Sequence, residues 1–302
     1  MSKGIYVEFH CHSVLSDGVL TLDELVEKAI ENQIGVMSIT DHNRLLKKEE
    51  YKGLIEKSRN RIDLIEGIEV STNYDTEDGT LEEIHIIVLT KDGDKIRFLE
   101  NRKLDHRGRF NELREKLALC GVEIPDYDTF LTLYPDTGHS GRKHVADYMY
   151  KNGMTTYPDE AFDLYFGRFG KKLAYVDSTP YRAAYGRMEE TVREIIEAGG
   201  DSILAVILCH PFYYEFDEKE LKRMMTRFKE AAGPLAGMEV LYRRYNQEQR
   251  DWLKEKAEEF GFVKSAGSDY HGQSDQDGMD NCFPMEIWED IKANWKRVFH
   301  KE

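Results

Sequence analysis

At 302 residues, with 40% apolar and 33% charged residues and only seven prolines, the chain can bury one large core, or a barrel-sized domain with a smaller insertion, and its composition excludes a disordered polypeptide. Forty-two Lys and Arg against 57 Asp and Glu give a net charge of −15. That balance argues against a grip on long nucleic acid, which depends on many cations neutralising phosphates, but leaves room for a small anionic substrate where metal ions make a pocket locally positive.

The segment Met1-Ser2-Lys3-Gly4-Ile5 lacks the apolar stretch of a leader, and no window approaches the roughly 18 apolar residues of a membrane span. The expectation is a cytoplasmic protein with no membrane partner; the sequence carries no signal for an oligomeric state. Cys11, Cys120, Cys209 and Cys282 lie far apart with no C-x-x-C spacing, so free thiols are expected in place of a disulfide framework or a zinc finger.

In chain order, Tyr6 to His10 reads as a strand. Thr21 followed three residues later by Glu24 reads as a capping box opening a helix to about Asn32. A strand at Val36 to Thr40, a helix at Lys47 to Arg59, and strands at Leu64 to Val70 and Ile84 to Leu89 complete a βαβ rhythm. Roughly Phe98 to Val176 has helix-like periodicity broken at Gly121, Pro125, Pro135, Gly141 and Pro158, and reads as a helical insertion. The rhythm then returns: a helix at Arg187 to Ala198, a strand at Ile203 to Cys209, a helix at Glu218 to Ala232, a strand at Gly237 to Leu241, a helix at Gln247 to Phe260 and a short strand at Val263 to Ser265. Strands alternating with helices at both ends point to one α/β sheet or barrel built from both parts of the chain, here divided as residues 1–97, an insertion at 98–176, and 177–302.

Polar residues recur where these strands end. His10 and His12 are two apart, so an extended backbone carries both imidazoles on one side, an arrangement suited to a transition metal. Ser16-Asp17-Gly18 reads as a turn able to return a carboxylate to the same place, and Thr40-Asp41-His42-Asn43 ends the second strand with another histidine. Glu69 and His85 interrupt apolar runs; a buried carboxylate is costly unless paired or metal-bound, and the alternatives are a salt bridge for Glu69 and a hydrogen-bonded core role for His85. His210 closes another apolar run, and Asp269 and His271 repeat the alternate spacing.

The candidate metal ligands are therefore His10, His12, Asp17, His42, Glu69, His85, His210, Asp269 and His271, which use six of the ten histidines. Nine ligands exceed the needs of one tetrahedral ion, so two or three divalent ions are implied, with Glu69 suited to bridge a pair; imidazole with carboxylate fits manganese, zinc or iron. Asp41 is expected to orient a ligand histidine from behind.

These motifs resemble the polymerase-and-histidinol-phosphatase (PHP) domain family, relatives of the amidohydrolases. The resemblance rests on H-x-H-S-x-x-S-D-G at His10 to Gly18, T-D-H-N at Thr40 to Asn43, Glu69 in G-I-E-V-S, His85, C-H-P at His210, and G-S-D-x-H-G at Gly267 to Gly272. It implies a distorted (β/α)7 barrel with a helical insertion, a trinuclear metal site, and a phosphoric ester hydrolase in which Asp17, Glu69, His210 and Asp269 are catalytic members of the set. Metal ions would ready a bridging hydroxide for in-line attack on phosphorus.

Glu8 departs from the Asp that many relatives carry there, and Asp136 to His139 match no family segment. The segments His106 to Phe110, Gly141 to Ala146 and Gly170 to Tyr175 are similar to the insertion of stand-alone bacterial members acting on nucleotides, including 3',5'-bisphosphate phosphatases and exoribonucleases on short RNA. Arg142, Lys143, His144, Lys171 and Tyr175 are the expected substrate-binding residues, the guanidinium of Arg142 being suited to a bidentate grip on phosphate, with solvated surface charge as the alternative for Arg142, Lys143, Lys171 and Lys172. Tyr213, Tyr214 and Tyr242 are candidates to stack on a base, with core or rim packing as the alternative. The implied partner is a small phosphorylated substrate, a nucleotide first; the alternatives are a cyclic sugar phosphate, histidinol phosphate, or a metal-binding module without catalysis.

Overall fold

The computed structural model describes residues 4–134, 141–167, 170–272, 278–280 and 282–300. It is a mixed α/β fold with eight strands among the described residues: β1 (Tyr6–Glu8), β2 (Ile34–Met37), β3 (Asp63–Leu64), β4 (Glu66–Asp75), β5 (Leu81–Thr90), β6 (Ile203–Leu208), β7 (Ala236–Tyr242) and β8 (Val263–Gly267). Helices α1 (Leu22–Glu31) and α2 (Lys48–Ser58) cover the first part, and α1 opens on the expected Thr21–Glu24 capping box. Helices α3 (His106–Leu119), α4 (Tyr127–Leu133) and α5 (Arg142–Lys151) occupy the segment read as an insertion. Helices α6 (Met188–Gly199), α7 (Glu218–Ala232), α8 (Gln247–Phe260) and α9 (Glu286–Phe299) complete the chain. No helix among the described residues is long and apolar enough to cross a membrane.

The strands form two sheets, a parallel β1-β2-β3 and a mixed β4-β5-β6-β7-β8, so the hydrogen-bonded ladder is not one continuous closed barrel. The βαβ rhythm also fails at one place: β4 pairs antiparallel with β5, and β5 with β6. A tight turn around the left-handed Gly79 joins β4 to β5, and two strands linked so closely can only run antiparallel. The two sheets are nonetheless stitched at both seams. On one side Phe9 N–H donates to Ala266 O (3.2 Å) and Asp269 N–H to His10 O (2.8 Å); on the other Asn43 N–H donates to Glu69 O (2.8 Å).

Strand periodicity decides what faces the space between the sheets. On β5, Ile84, Ile86 and Val88 join the core under α6 and α7, whereas Ile87 and Leu89 join a second core with Val7 and Phe9 of the small sheet and Trp288 and Ile291 of α9. His85 shares the Ile87–Leu89 side, Glu69 lies opposite the Ile68–Val70 side of β4, and Glu239 lies opposite the Met238–Val240 side of β7. Three polar side chains are thus directed into the space at one end of an apolar interior. A further apolar cluster draws its buried members only from Phe110 to Val176, in the segment between β5 and α6.

Candidate metal centre

The nine residues singled out by strand ends converge. Glu69, wholly buried, lies at the middle: its oxygens are 3.2 Å from His10 Nε2, 3.3 Å from His12 Nε2, 2.9 Å from His42 Nδ1, 2.9 Å from His85 Nδ1 and 3.5 Å from His210 Nε2. Asp269 Oδ1 is 3.3 Å from His10 Nε2 and 3.2 Å from His12 Nε2. Asp17 Oδ1 is 3.1 Å from His271 Nε2 and 3.8 Å from both His12 Nδ1 and His42 Nε2. Four overlapping groups have the spacing to hold an ion: His12–Asp17–His42–His271, His10–Glu69–His210, His10–His12–Asp269 and His42–Glu69–His85.

The local backbone is built around these placements. Gly18 turns the chain back so tightly that a Cβ there would meet His12 O at 2.3 Å, and this turn presents Asp17. His210 (φ +26°) and Asp269 (φ +53°) occupy a region that L side chains avoid, at a cost on the order of 1–3 kcal/mol each. Each lies two residues beyond the end of its strand, β6 and β8 respectively, so the unusual backbone sets where a side chain at the strand exit points.

The donor set fits metal ions. His10 Nε2, His12 Nε2, His42 Nδ1, His271 Nε2 and both oxygens of Glu69 are buried, yet none makes a hydrogen bond. Buried polar atoms are seldom left so, and a cluster of them in mutual reach fits a cation site better than a packing fault. Electrostatics agree in direction. Burial would raise the Glu69 carboxyl, but His42, His85 and His10 hold it well below the usual carboxylate range. Burial would lower the His12 imidazole, but Asp269 and Glu69 push it up to about 9. These carboxylates demand positive charge, which divalent ions would supply.

The structure adds residues that strand-end reasoning missed. Glu239 Oε1 is 3.0 Å from His10 Nδ1, and its Oε2 accepts the His210 N–H at 2.8 Å. Its signal was the one used for Glu69, a carboxylate inside an apolar strand. Glu83 Oε1 is 3.3 Å from His85 Nε2, and Tyr242 O–H donates to Asp269 Oδ2 at 2.9 Å. Glu8 accepts from the backbone N–H of His10 and of Ser268 (2.9 Å each), tying the β1 and β8 ends together, and burial pushes its carboxyl up to about 7.

Asp41 does not orient a histidine directly. Its carboxylate accepts from Ser13 N–H (2.8 Å), Ser13 O–H (2.7 Å) and Ser16 O–H (2.5 Å), and so fastens the loop that carries Asp17. Tyr242 and Tyr214 are buried, with Tyr214 accepting the His85 N–H at 2.9 Å; of the three tyrosines only Tyr213 is exposed at the cleft.

The cluster opens into a cavity of about 1670 Å³ lined by Asp17, His42 and His85 on one side and by α3, α5 and the Lys172–Tyr185 segment on the other. Eleven Lys and Arg line it against eight Asp and Glu, the reverse of the balance of the whole chain. Arg142, Lys143 and Tyr175 line it; Lys143 Nζ reaches Asp17 Oδ2 at 3.1 Å, joining α5 to the ligand set. His144 does not line it: its Nδ1 accepts the Gly141 N–H at 3.0 Å, closing the first turn of α5. Lys171 is exposed away from the cavity, and Lys172 takes that place. Arg109 also lines it, its Nε buried without a hydrogen bond, and burial, with the like charge of Arg142, lowers its guanidinium to about 10. Residues Asp136 to His139, which match no family segment, lie outside the described residues.

Comparison with known proteins agrees with this geometry. The family model described as "PHP domain" matches residues 8–115. A 5'-3' exoribonuclease of Haemophilus influenzae is 31% identical over 267 residues, covering 87% of this chain and 89% of that protein. The chain belongs to the PHP family. A second PHP relative, a 3',5'-nucleoside bisphosphate phosphatase of Chromobacterium violaceum, is 24% identical over 302 residues, covering 95% of this chain and 96% of its own. A phosphoribosyl 1,2-cyclic phosphate 1,2-diphosphodiesterase of Eggerthella lenta is 25% identical over 270 residues, covering 88% and 94%. The PHP fold is shared with a solved amidohydrolase structure from Chromobacterium violaceum at a TM-score of 0.70 and 22% identity, covering 95% of this chain and 96% of that one.

Proposed function

We propose that this chain is a metal-dependent phosphoesterase that hydrolyses phosphate esters of small nucleotides, a 3',5'-bisphosphate nucleotide or a short oligoribonucleotide. The observation that carries the reading is the convergence of six imidazoles and three carboxylates, with buried ring nitrogens that make no hydrogen bond, beneath a cleft richer in cations than acids.

His10, His12, Asp17, His42, Glu69, His85, His210, Asp269 and His271 would hold two or three divalent ions of manganese, zinc or iron. Bound there, such ions supply an activated water and countercharge for the phosphoryl oxygens. Glu69 is within 3.5 Å of five imidazoles and so is placed where it could serve more than one ion. Asp17, Glu69, His210 and Asp269 are the members read as catalytic. Arg109 and Arg142 both line the cleft and their like charges repel, so an anion bound there would relieve that repulsion; this supports Arg142 as a grip on a second phosphate or on the leaving group. Lys143 holds Asp17 and faces the same space. Tyr175 lines the wall with Lys172 over its ring, while the placements of His144 and Lys171 speak against direct contact with substrate.

The finer architecture belongs to the same reading: residues 1–97 and 177–302 form the two parts of a distorted barrel, and 98–176 an insertion over its mouth. The backbone links at both seams and the separate apolar cluster within the insertion support it.

The test is a substrate panel on metal-loaded protein, with a 3',5'-bisphosphate nucleotide, a short RNA, a cyclic sugar phosphate and histidinol phosphate. Preferred turnover of a nucleotide substrate is the expected result. Preference for histidinol phosphate or the cyclic sugar phosphate would overturn the substrate assignment, and full metal occupancy with no turnover of any of them would overturn the enzyme reading.

A further inference from the structure

Glu239 sits behind the centre, 1% exposed, on the side of β7 that faces the interior, and it does not line the cleft. It therefore reaches no substrate. Its two oxygens serve two different ligand residues from two different strand ends. Oε1 lies 3.0 Å from His10 Nδ1, and Oε2 accepts the His210 N–H at 2.8 Å.

Each contact has a separate consequence. A carboxylate only accepts, so the proton in the first contact sits on His10 Nδ1. The lone pair of the ring is then on Nε2, which faces Glu69 (3.2 Å) and Asp269 (3.3 Å) and makes no hydrogen bond of its own. The second contact anchors the backbone of His210 at φ +26° and ψ 59°, a conformation that needs outside support to persist. The neighbouring strand leaves room for the arrangement: a Cβ on Gly267 would stand 2.2 Å from His10 Cβ and 2.7 Å from Glu239 Oε1.

We propose that Glu239 is a positioning residue for one cation site, that of His10, Glu69 and His210, setting the tautomer of one ligand and the backbone of another. The inference rests on the metal-centre reading above. Glu239→Gln keeps the size of the side chain but offers one oxygen and one NH2 where two oxygens are required, so one of the two N–H donors faces a donor.

Zinc is the probe, with affinity measured by chelator competition on the wild-type protein and on Glu239→Gln. One zinc site should weaken about 10–100-fold, with the His12–Asp17–His42–His271 site retained, and turnover at limiting zinc should recover in excess zinc. In zinc-loaded wild-type protein labelled with 15N-histidine, His10 Nδ1 should carry a proton and Nε2 should not, a reading that stands even where the variant fails to fold. Wild-type zinc stoichiometry and affinity in Glu239→Gln, with or without a lower melting temperature, overturns the proposal, as does a His10 ring bound through Nδ1. Absence of zinc binding by the wild-type protein would remove the metal-centre reading itself, and the proposal with it.

Discussion

Replacing Asp41 by Asn separates the loop that carries Asp17 from the rest of the centre. Asp41 is 1% exposed and accepts three hydrogen bonds, from Ser13 N–H, Ser13 O–H and Ser16 O–H. Asn keeps one acceptor oxygen and presents an NH2 in place of the other, so at least one bond is lost and the rest lose their charge assistance. Hydrogen bonds to a charged group contribute about 1.5–3 kcal/mol each, and losing the equivalent of one or two destabilises the fold by about 1.5–6 kcal/mol. With an unfolding entropy of about 2.1 cal/mol/K per residue, a chain of 302 residues melts about 1.6 °C lower for each kcal/mol, so the variant should melt about 2–10 °C below wild type. The effect is also local: freed from Ser13 and Ser16, the loop holds Asp17 less well beside His12, His42 and His271, and one cation per chain should be lost before the others. Calorimetry and elemental metal analysis on the same preparations check both parts. An unchanged melting temperature with full metal content would refute the reasoning.

Other perturbations separate the remaining assignments. Arg142→Ala should raise KM for a bisphosphate nucleotide by about 10–100-fold, the equivalent of a lost charge-assisted contact, and raise KM for a simple monoester far less; equal effects would defeat the assignment. His144→Ala should cost roughly 0.5–2 kcal/mol of stability, as the loss of a helix cap does, with KM unchanged. Lys172→Ala should weaken substrate binding more than Lys171→Ala, because only the former lines the cleft; steady-state kinetics on both distinguishes them. Gly267→Ala, whose Cβ meets His10 Cβ at 2.2 Å and Glu239 Oε1 at 2.7 Å, should cost about 1–3 kcal/mol through overpacking and reduce metal content.

Much of the fold and centre was legible because two physical signals coincide in this chain. Apolar periodicity located α7 at Glu218–Ala232 and α8 at Gln247–Phe260, and burial made every polar interruption of a strand conspicuous. Glu69, His85 and His210 stand out for that reason. Glu239 carried the same signal inside Met238-Glu239-Val240, but it belongs to no ligand motif, and its contacts with His10 Nδ1 at 3.0 Å and the His210 N–H at 2.8 Å are what give it a role. The antiparallel β4–β5 pair is masked in the sequence by the strand and helix patterns that alternate on either side of it; the Asp78-Gly79 turn is the local cue. Helix α9 was overlooked although Ile287, Trp288 and Ile291 mark its buried face. Directions around α5 and the following loop were least legible. Neighbouring residues such as Lys171 and Lys172 differ only in which way an irregular backbone turns them, and no periodicity records that.

Metal ions held around Glu69 would carry the proposed chemistry, and the most direct measurement is metal content and phosphoesterase activity followed together through chelation and reconstitution. Protein as purified or reconstituted with manganese should contain two or three ions per chain, lose turnover of a 3',5'-bisphosphate nucleotide when they are stripped, and regain it when they return. Fewer than one ion per chain after reconstitution, or turnover that survives complete stripping, would contradict it.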